Sequence, residues 1–94
     1  MIRIVKLTFK PEHRQDFLDF IETKKSKIRG FEGCISVDFL NDIQQPNIFF
    51  TYSHWQSEDC LENYRKSELF QSVWSQVKQW FDAKAEAWSV EAMA

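Results

Sequence analysis

The sequence predicts one α+β domain whose elements follow the order β-α-β-β-α-β. Three observations support this prediction. Four short segments are rich in β-branched and aromatic residues, as strands are. Two longer segments repeat apolar residues at helical spacing, and proline, glycine, asparagine or serine stands at the junctions between them. At 94 residues, the chain is expected to form a single domain over residues 1–94.

The chain opens with a predicted strand, MIRIVKLTF, which is followed by a helix. Pro11 suits the first helical position, because a backbone N–H at that position would have no partner within the helix and proline has none. The helix is expected from about Glu12 to Ile28, and Gly30 is expected to end it in a left-handed conformation. The apolar stripe of this helix consists of Phe17, Leu18, Phe20, Ile21 and Ile28.

The segments CISVDFL and NIFFTYSHW are predicted to form a hairpin. In the first segment, Ile35, Val37 and Phe39 alternate with polar residues, and the NDIQQPN that follows supplies turn residues. The second segment has large side chains at both parities, so neither of its faces is polar. These side chains are Ile48, Phe50 and Tyr52 at even positions, with Phe49 and Trp55 at odd positions.

The remainder of the chain predicts a broken second helix and a closing strand. Ser57 is a good N-cap because acidic residues follow it, and Ser67 caps a second, more regular helical stretch. The stripe of that stretch consists of Phe70, Val73, Trp74, Val77 and Phe81. The segment AEAWSVEA is the predicted fourth strand. The whole order is the ferredoxin-like plan with a broken second helix.

The first and third strands predict a homodimer. Two helices cover only one face of a four-stranded sheet, yet both strands have bulky apolar side chains on both faces. A second copy of the chain, packed sheet to sheet, would cover the face that the helices leave open.

Composition argues against several classes of function. The formal net charge is −2, and the basic run KKSKIR falls where a helix should end, so no nucleic-acid partner is expected. Without a signal peptide or a long apolar run, a cytoplasmic protein with no membrane partner is expected. Two cysteines and two histidines, all widely spaced, predict no metal site. The glycine-rich motifs that bind phosphate are absent.

Three stretches resemble the antibiotic biosynthesis monooxygenase family: FEGC at Phe31 to Cys34, TYSHWQSEDCLENY after the hairpin, and SELFQSVW from Ser67 to Trp74. The resemblance covers essentially the whole chain and implies a dimeric α+β barrel, with a ligand cavity between the helices and the sheet of each chain. Characterised members insert oxygen into aromatic polyketides or quinols with no metal, flavin or other prosthetic group, and the resemblance implies the same chemistry here. No cofactor is therefore expected.

A neighbouring branch that degrades haem resembles the chain in the segment WQSEDCLENYRKSELF. In that branch, an asparagine on the first strand, a tryptophan on the second helix and a haem-ligating histidine on the third carry the chemistry. Here the first strand has no asparagine, Tyr64 stands at the tryptophan position and Trp74 at the histidine position. These departures indicate that haem is not the ligand.

His54 is the candidate catalytic residue, because an imidazole that titrates near neutrality could take a proton from a phenol or quinol. The alternative is a histidine at a strand end whose hydrogen bonds are made to backbone or water, or which lies in the dimer interface. Tyr52 shares the parity of His54, so both side chains face the cavity or both face the partner. The sequence leaves this choice open.

Five further residues are candidates for substrate binding. Tyr52 and Tyr64 could donate hydrogen bonds to a quinone oxygen, while Phe50, Phe70 and Trp74 could form apolar walls for a planar ring. The alternative for all of them is a role in the core. Arg65 points either into the cavity mouth or into solvent.

The leading prediction of function is a cofactor-independent monooxygenase, an oxidoreductase that acts on a small aromatic quinol or polyketide-like substrate. The first alternative is a non-catalytic dimer that binds a small aromatic ligand. The second is a haem-handling protein related to the haem-degrading branch.

Overall fold

The computed structural model describes residues 1–94 and confirms the α+β class. Its strands are β1 (Ile2–Thr8), β2 (Cys34–Asn41), β3 (Ile48–Trp55) and β4 (Glu86–Val90). Its helices are α1 (Arg14–Glu22), α2 (Lys25–Arg29), α3 (Glu58–Arg65) and α4 (Glu68–Val77). Short 3-10 turns at Pro11–His13 and Lys78–Trp80 precede α1 and follow α4. None of the helices has both the length and the apolar character that crossing a bilayer requires.

The four strands form one antiparallel sheet in the order β2-β3-β1-β4. This sheet and the β-α-β-β-α-β order confirm the ferredoxin-like plan. At its centre, Ile4 of β1 lies opposite Tyr52 of β3 on one side and Trp88 of β4 on the other. Because side chains alternate along a strand, these three residues share one face of the sheet.

The first predicted helix differs in extent from the structure. It divides into α1 and α2, because the chain tightens at Thr23, whose hydroxyl and N–H both donate to the carbonyl of Phe20, at 2.7 and 3.0 Å. The left-handed conformation predicted for Gly30 is wrong, since its φ is −84°. The positive φ, 86°, is found at Gly33 instead.

The break in the second helix is confirmed, together with both of its caps. The hydroxyl of Ser57 accepts from the N–H of Cys60 at 3.2 Å, and that of Ser67 accepts from the N–H of Phe70 at 3.1 Å. The helical stripe is shorter than predicted, however. Phe81 lies beyond α4 in an extended conformation, where it pairs with Phe9.

The hydrophobic core lies between the helices and one face of the sheet, which we call the inner face. Its largest fully buried side chains are Phe9, Phe17 and Trp55. The opposite, outer face includes the even-numbered residues of β1, β3 and β4, among them Ile4, Tyr52 and Trp88. No helix of the chain packs on this face, and Trp88 remains 44% exposed.

Candidate functional site

A cavity of about 310 Å³ lies between the helices and the inner face of the sheet. Sixteen of its twenty lining residues are hydrophobic. Its volume is at the lower end of the range for small-molecule sites, which are mostly apolar with a few convergent polar groups. The cavity therefore suits one small, largely apolar molecule.

The six residues predicted for the site separate into two groups of three. One group lines the cavity and consists of Tyr64, Phe70 and Trp74. The other group, Phe50, Tyr52 and His54, lies on the outer face. The residues of β3 that line the cavity are the intervening ones, Thr51, Ser53 and Trp55.

The sequence left open whether Tyr52 and His54 face the cavity, and the structure places both side chains on the opposite face of the sheet. Their rings lie 5.6 Å apart on the outer face, where His54 is opposite Ile2 and Tyr52 is opposite Ile4. The sheet itself separates them from the cavity of the same chain. The structure therefore does not bring His54 to the cavity as a proton acceptor, nor Tyr52 and Phe50 as binding residues.

A continuous aromatic wall, formed by Trp55, Tyr64, Phe70 and Trp74, lines one side of the cavity. Tyr64 stacks on Trp55 with ring centroids 5.0 Å apart, and its ring meets Phe70 edge to face at 5.2 Å. Phe70 and Trp74 are four residues apart on α4 and stack at 5.7 Å with an angle of 11° between their planes. Rings in mutual contact form a firm surface on which a flat ligand can stack.

Tyr64 brings the one tyrosine hydroxyl to this cavity. The residue is only 9% exposed, its hydroxyl makes no hydrogen bond within the chain, and no polar side-chain atom is both fully buried and unpaired. The hydroxyl therefore keeps some accessible surface and is free to donate a hydrogen bond. Burial, and to a smaller extent the neighbouring Cys34, raises the pKa of Tyr64 to about 12. At neutral pH the group is a hydrogen-bond donor and not a base.

Ser53 is the buried polar residue of the inner face, and the sequence reasoning missed it. Its hydroxyl accepts from the indole N–H of Trp55 at 3.0 Å and donates to the carbonyl of Arg3 at 3.3 Å. These bonds hold Trp55 in the aromatic wall. The hydroxyl of Ser53 is therefore engaged in positioning the wall.

Arg3 and Arg65 are the only charged residues that line the cavity. Arg65, whose direction the sequence left open, contributes to the cavity lining with a side chain that is 46% exposed. The sequence reasoning missed Arg3. A signal for Arg3 was present, because it shares the parity of Val5 and Leu7 on β1 and those two residues face the core. No group of three or more His, Cys, Asp or Glu side chains is gathered in the way that a metal site requires.

The fold and the cavity together define a small ferredoxin-like protein with an apolar cavity between its helices and its sheet. The chain belongs to the antibiotic biosynthesis monooxygenase family, whose model matches residues 1–76. No curated protein matches the sequence significantly.

Solved structures show the same fold over nearly the whole chain. A conserved protein from Methanosarcina mazei Go1 is 25% identical, with a TM-score of 0.85, over 92% of this chain and 86% of its own. An antibiotic biosynthesis monooxygenase is 18% identical, with a TM-score of 0.92, over 100% of both chains. A proposed antibiotic biosynthesis monooxygenase from Nitrosomonas europaea is 13% identical, with a TM-score of 0.91, over 99% of this chain and 98% of its own.

Proposed function

We propose that the protein is a cofactor-independent monooxygenase that acts on a small aromatic quinol or polyketide-like substrate. The observation that carries the proposal is the apolar cavity with an aromatic wall that includes Tyr64, whose hydroxyl makes no hydrogen bond within the chain. Membership of a monooxygenase family supports the reaction class. The proposal places the substrate ring against Phe70 and Trp74, with one substrate oxygen at the hydroxyl of Tyr64.

The chemistry proposed for this cavity is assisted by the substrate. No His, Asp or Glu lines the cavity, so no protein group there has the usual properties of a general base. The substrate loses its phenolic or enolic proton to water, and the electron-rich anion reduces oxygen. One oxygen atom of O2 enters the substrate, and the other leaves as water together with two hydrogen atoms that the substrate gives up. The hydroxyl of Tyr64 stabilises the anion because a hydrogen bond to a charged oxygen is stronger than one to a neutral oxygen.

A non-catalytic binder of small aromatic ligands is the second candidate, and the absence of a base in the cavity favours it. A haem-handling role has less support. Neither histidine lines the cavity, because His13 pairs with Asp16 on the surface at 2.8 Å and His54 lies on the outer face. Tryptophan at position 74 offers iron no lone pair.

We expect the protein to consume oxygen when it is supplied with a suitable quinol or polyphenol. The measurement is oxygen uptake over a panel of such compounds, with product mass analysis, in the presence of a metal chelator and against protein-free autoxidation. Two results together would support the proposal. Oxygen uptake should exceed autoxidation without added hemin, and the product should contain one oxygen atom more and two hydrogen atoms fewer than the substrate. Ligand binding without uptake would favour the binder, and uptake only with hemin would favour haem handling.

We also propose that two copies of the chain pack through their outer faces. Leu40, Trp88 and Val90 are each at least 40% exposed, and Leu40 and Trp88 flank the half-exposed strands β1 and β3 on this face. Exposed apolar side chains that lie together on a sheet face are typical of a protein–protein interface. The ring pair of Tyr52 and His54 would then lie in the interface.

The wild-type protein is expected to sediment as a dimer at micromolar concentration. Ile4→Lys is expected to produce monomers, because it places a charge at the centre of the outer face, between Tyr52 and Trp88. Ile43→Lys is the matched control, since Ile43 is 98% exposed outside the sheet. A wild-type monomer, or an Ile4→Lys protein that still dimerises as tightly as the control, would contradict the interface.

A further inference from the structure

The charges of the cavity are all of one sign. Arg3 and Arg65 line it, and no carboxylate does. The remaining polar lining consists of hydroxyl groups, those of Thr51, Ser53 and Tyr64. Two guanidinium groups beside an apolar cavity create a positive potential, which low-dielectric walls strengthen.

Arg3 is held in the cavity wall without being neutralised. Its Nη1 donates at 2.9 Å to the hydroxyl of Ser89, its register partner on β4, and not to a carboxylate. The pKa of Arg3 is lowered, first by burial and then by the positive charge of Arg65, whereas Glu62 acts in the opposite direction. The two guanidinium groups are therefore close enough to repel each other, and an anion between them would relieve that repulsion.

Arg65 is the last residue of α3, and its side chain lines the cavity. Its Nη1 lies 3.4 Å from a carboxylate oxygen of Glu62, one turn earlier. The side chains of this pair are 46% and 49% exposed, so solvent screens their attraction and the pair is weak. Since Glu62 does not line the cavity, Arg65 remains available to a ligand.

We propose that the cavity takes an aromatic ligand that bears an anionic oxygen group, which lies toward Arg3 and Arg65 while the ring stacks on the aromatic wall. The inference deepens the proposed function, because it assumes that the same cavity holds the substrate. Arginine suits this role, since its planar fork matches the geometry of an oxyanion. Such a pair would also favour ionisation of an acidic phenol or enol in a cavity that has no base.

The test compares two flat probes of nearly equal shape, 2-naphthoate and the uncharged 2-naphthamide, at neutral pH. Binding is measured by quenching of tryptophan fluorescence, because Trp55 and Trp74 line the cavity. The naphthoate is expected to bind about tenfold more tightly. Arg3→Gln and Arg65→Gln should each remove most of that preference, because each weakens naphthoate binding more than naphthamide binding.

Two matched variants separate a local effect from a change in overall charge. Lys66→Gln removes a positive charge next to Arg65, but Lys66 does not line the cavity, so the preference should remain. Arg3→Lys keeps a cation on β1 and should therefore retain part of the preference for naphthoate. This variant replaces Arg3→Gln in the test if Arg3→Gln disturbs the fold.

Equal affinity for the two probes in the wild type would overturn the inference, as would an undiminished preference in the double variant of Arg3 and Arg65. Binding of neither probe would overturn both the inference and the ligand cavity. A naphthoate preference in a protein that consumes no oxygen with any quinol would contradict the monooxygenase and leave the anion site standing.

Discussion

Replacing Tyr64 with phenylalanine is expected to lower the catalytic rate with a quinol substrate by about a hundredfold. The change removes the one tyrosine hydroxyl of the cavity, while the ring keeps its contacts with Trp55 and Phe70. Because the lost hydrogen bond is strongest to the substrate anion, the maximal rate should fall more than the Michaelis constant rises. Steady-state oxygen uptake over a range of quinol concentrations measures both quantities.

Tyr52→Phe is the matched control, because it removes the only other tyrosine hydroxyl of the chain, which lies on the outer face. We expect Tyr52→Phe and His54→Ala to keep rates within about threefold of the wild type, since the sheet separates both residues from the cavity. A hundredfold loss in His54→Ala, with an unchanged rate in Tyr64→Phe, would contradict this assignment. It would indicate that proton transfer takes place on the outer face.

The sequence predicted only part of the site, and the reason lies in β3. Alternation along a strand shows that Tyr52 and His54 share a face, but it does not show which face the helices cover. Large side chains at both parities remove the usual contrast between an apolar and a polar face. The helical residues were easier to predict, because Tyr64, Phe70 and Trp74 belong to stripes whose apolar side must face the sheet.

The fold was predicted better where its causes are local. The caps at Ser57 and Ser67 depend on residues within one turn, and the structure shows both. The separation of Phe81 from α4 has a distant cause, since Phe81 packs against Phe9 at 5.4 Å and pairs with it across the sheet edge. Which of the two glycines, Gly30 or Gly33, has the left-handed conformation likewise depends on tertiary contacts that no local pattern shows.

Gly33→Ala is expected to destabilise the protein by about 3 kcal/mol, from the cost of a left-handed alanine and of overpacking. The φ of Gly33 is 86°, and an added Cβ would lie 2.4 Å from the Cβ of Cys60 and 2.5 Å from its Sγ. Relief of this clash requires α3 to move away from the turn, although the carbonyl of Gly33 accepts from Gln56 just before that helix. Urea unfolding monitored by circular dichroism measures the loss.

Gly30→Ala is the control for Gly33→Ala, because it adds the same methyl group three residues earlier in the same turn. The φ of Gly30 is −84°, which alanine adopts readily, and the nearest atom to an added Cβ is the carbonyl oxygen of Ser26, at 3.2 Å. We expect Gly30→Ala to change the free energy of unfolding by less than about 1 kcal/mol in either direction. Equal stability of the two variants would show that the turn does not depend on Gly33. A large loss in Gly33→Ala alone would show that the turn before β2 requires glycine at position 33, where the backbone is left-handed and Cys60 leaves no room for a Cβ.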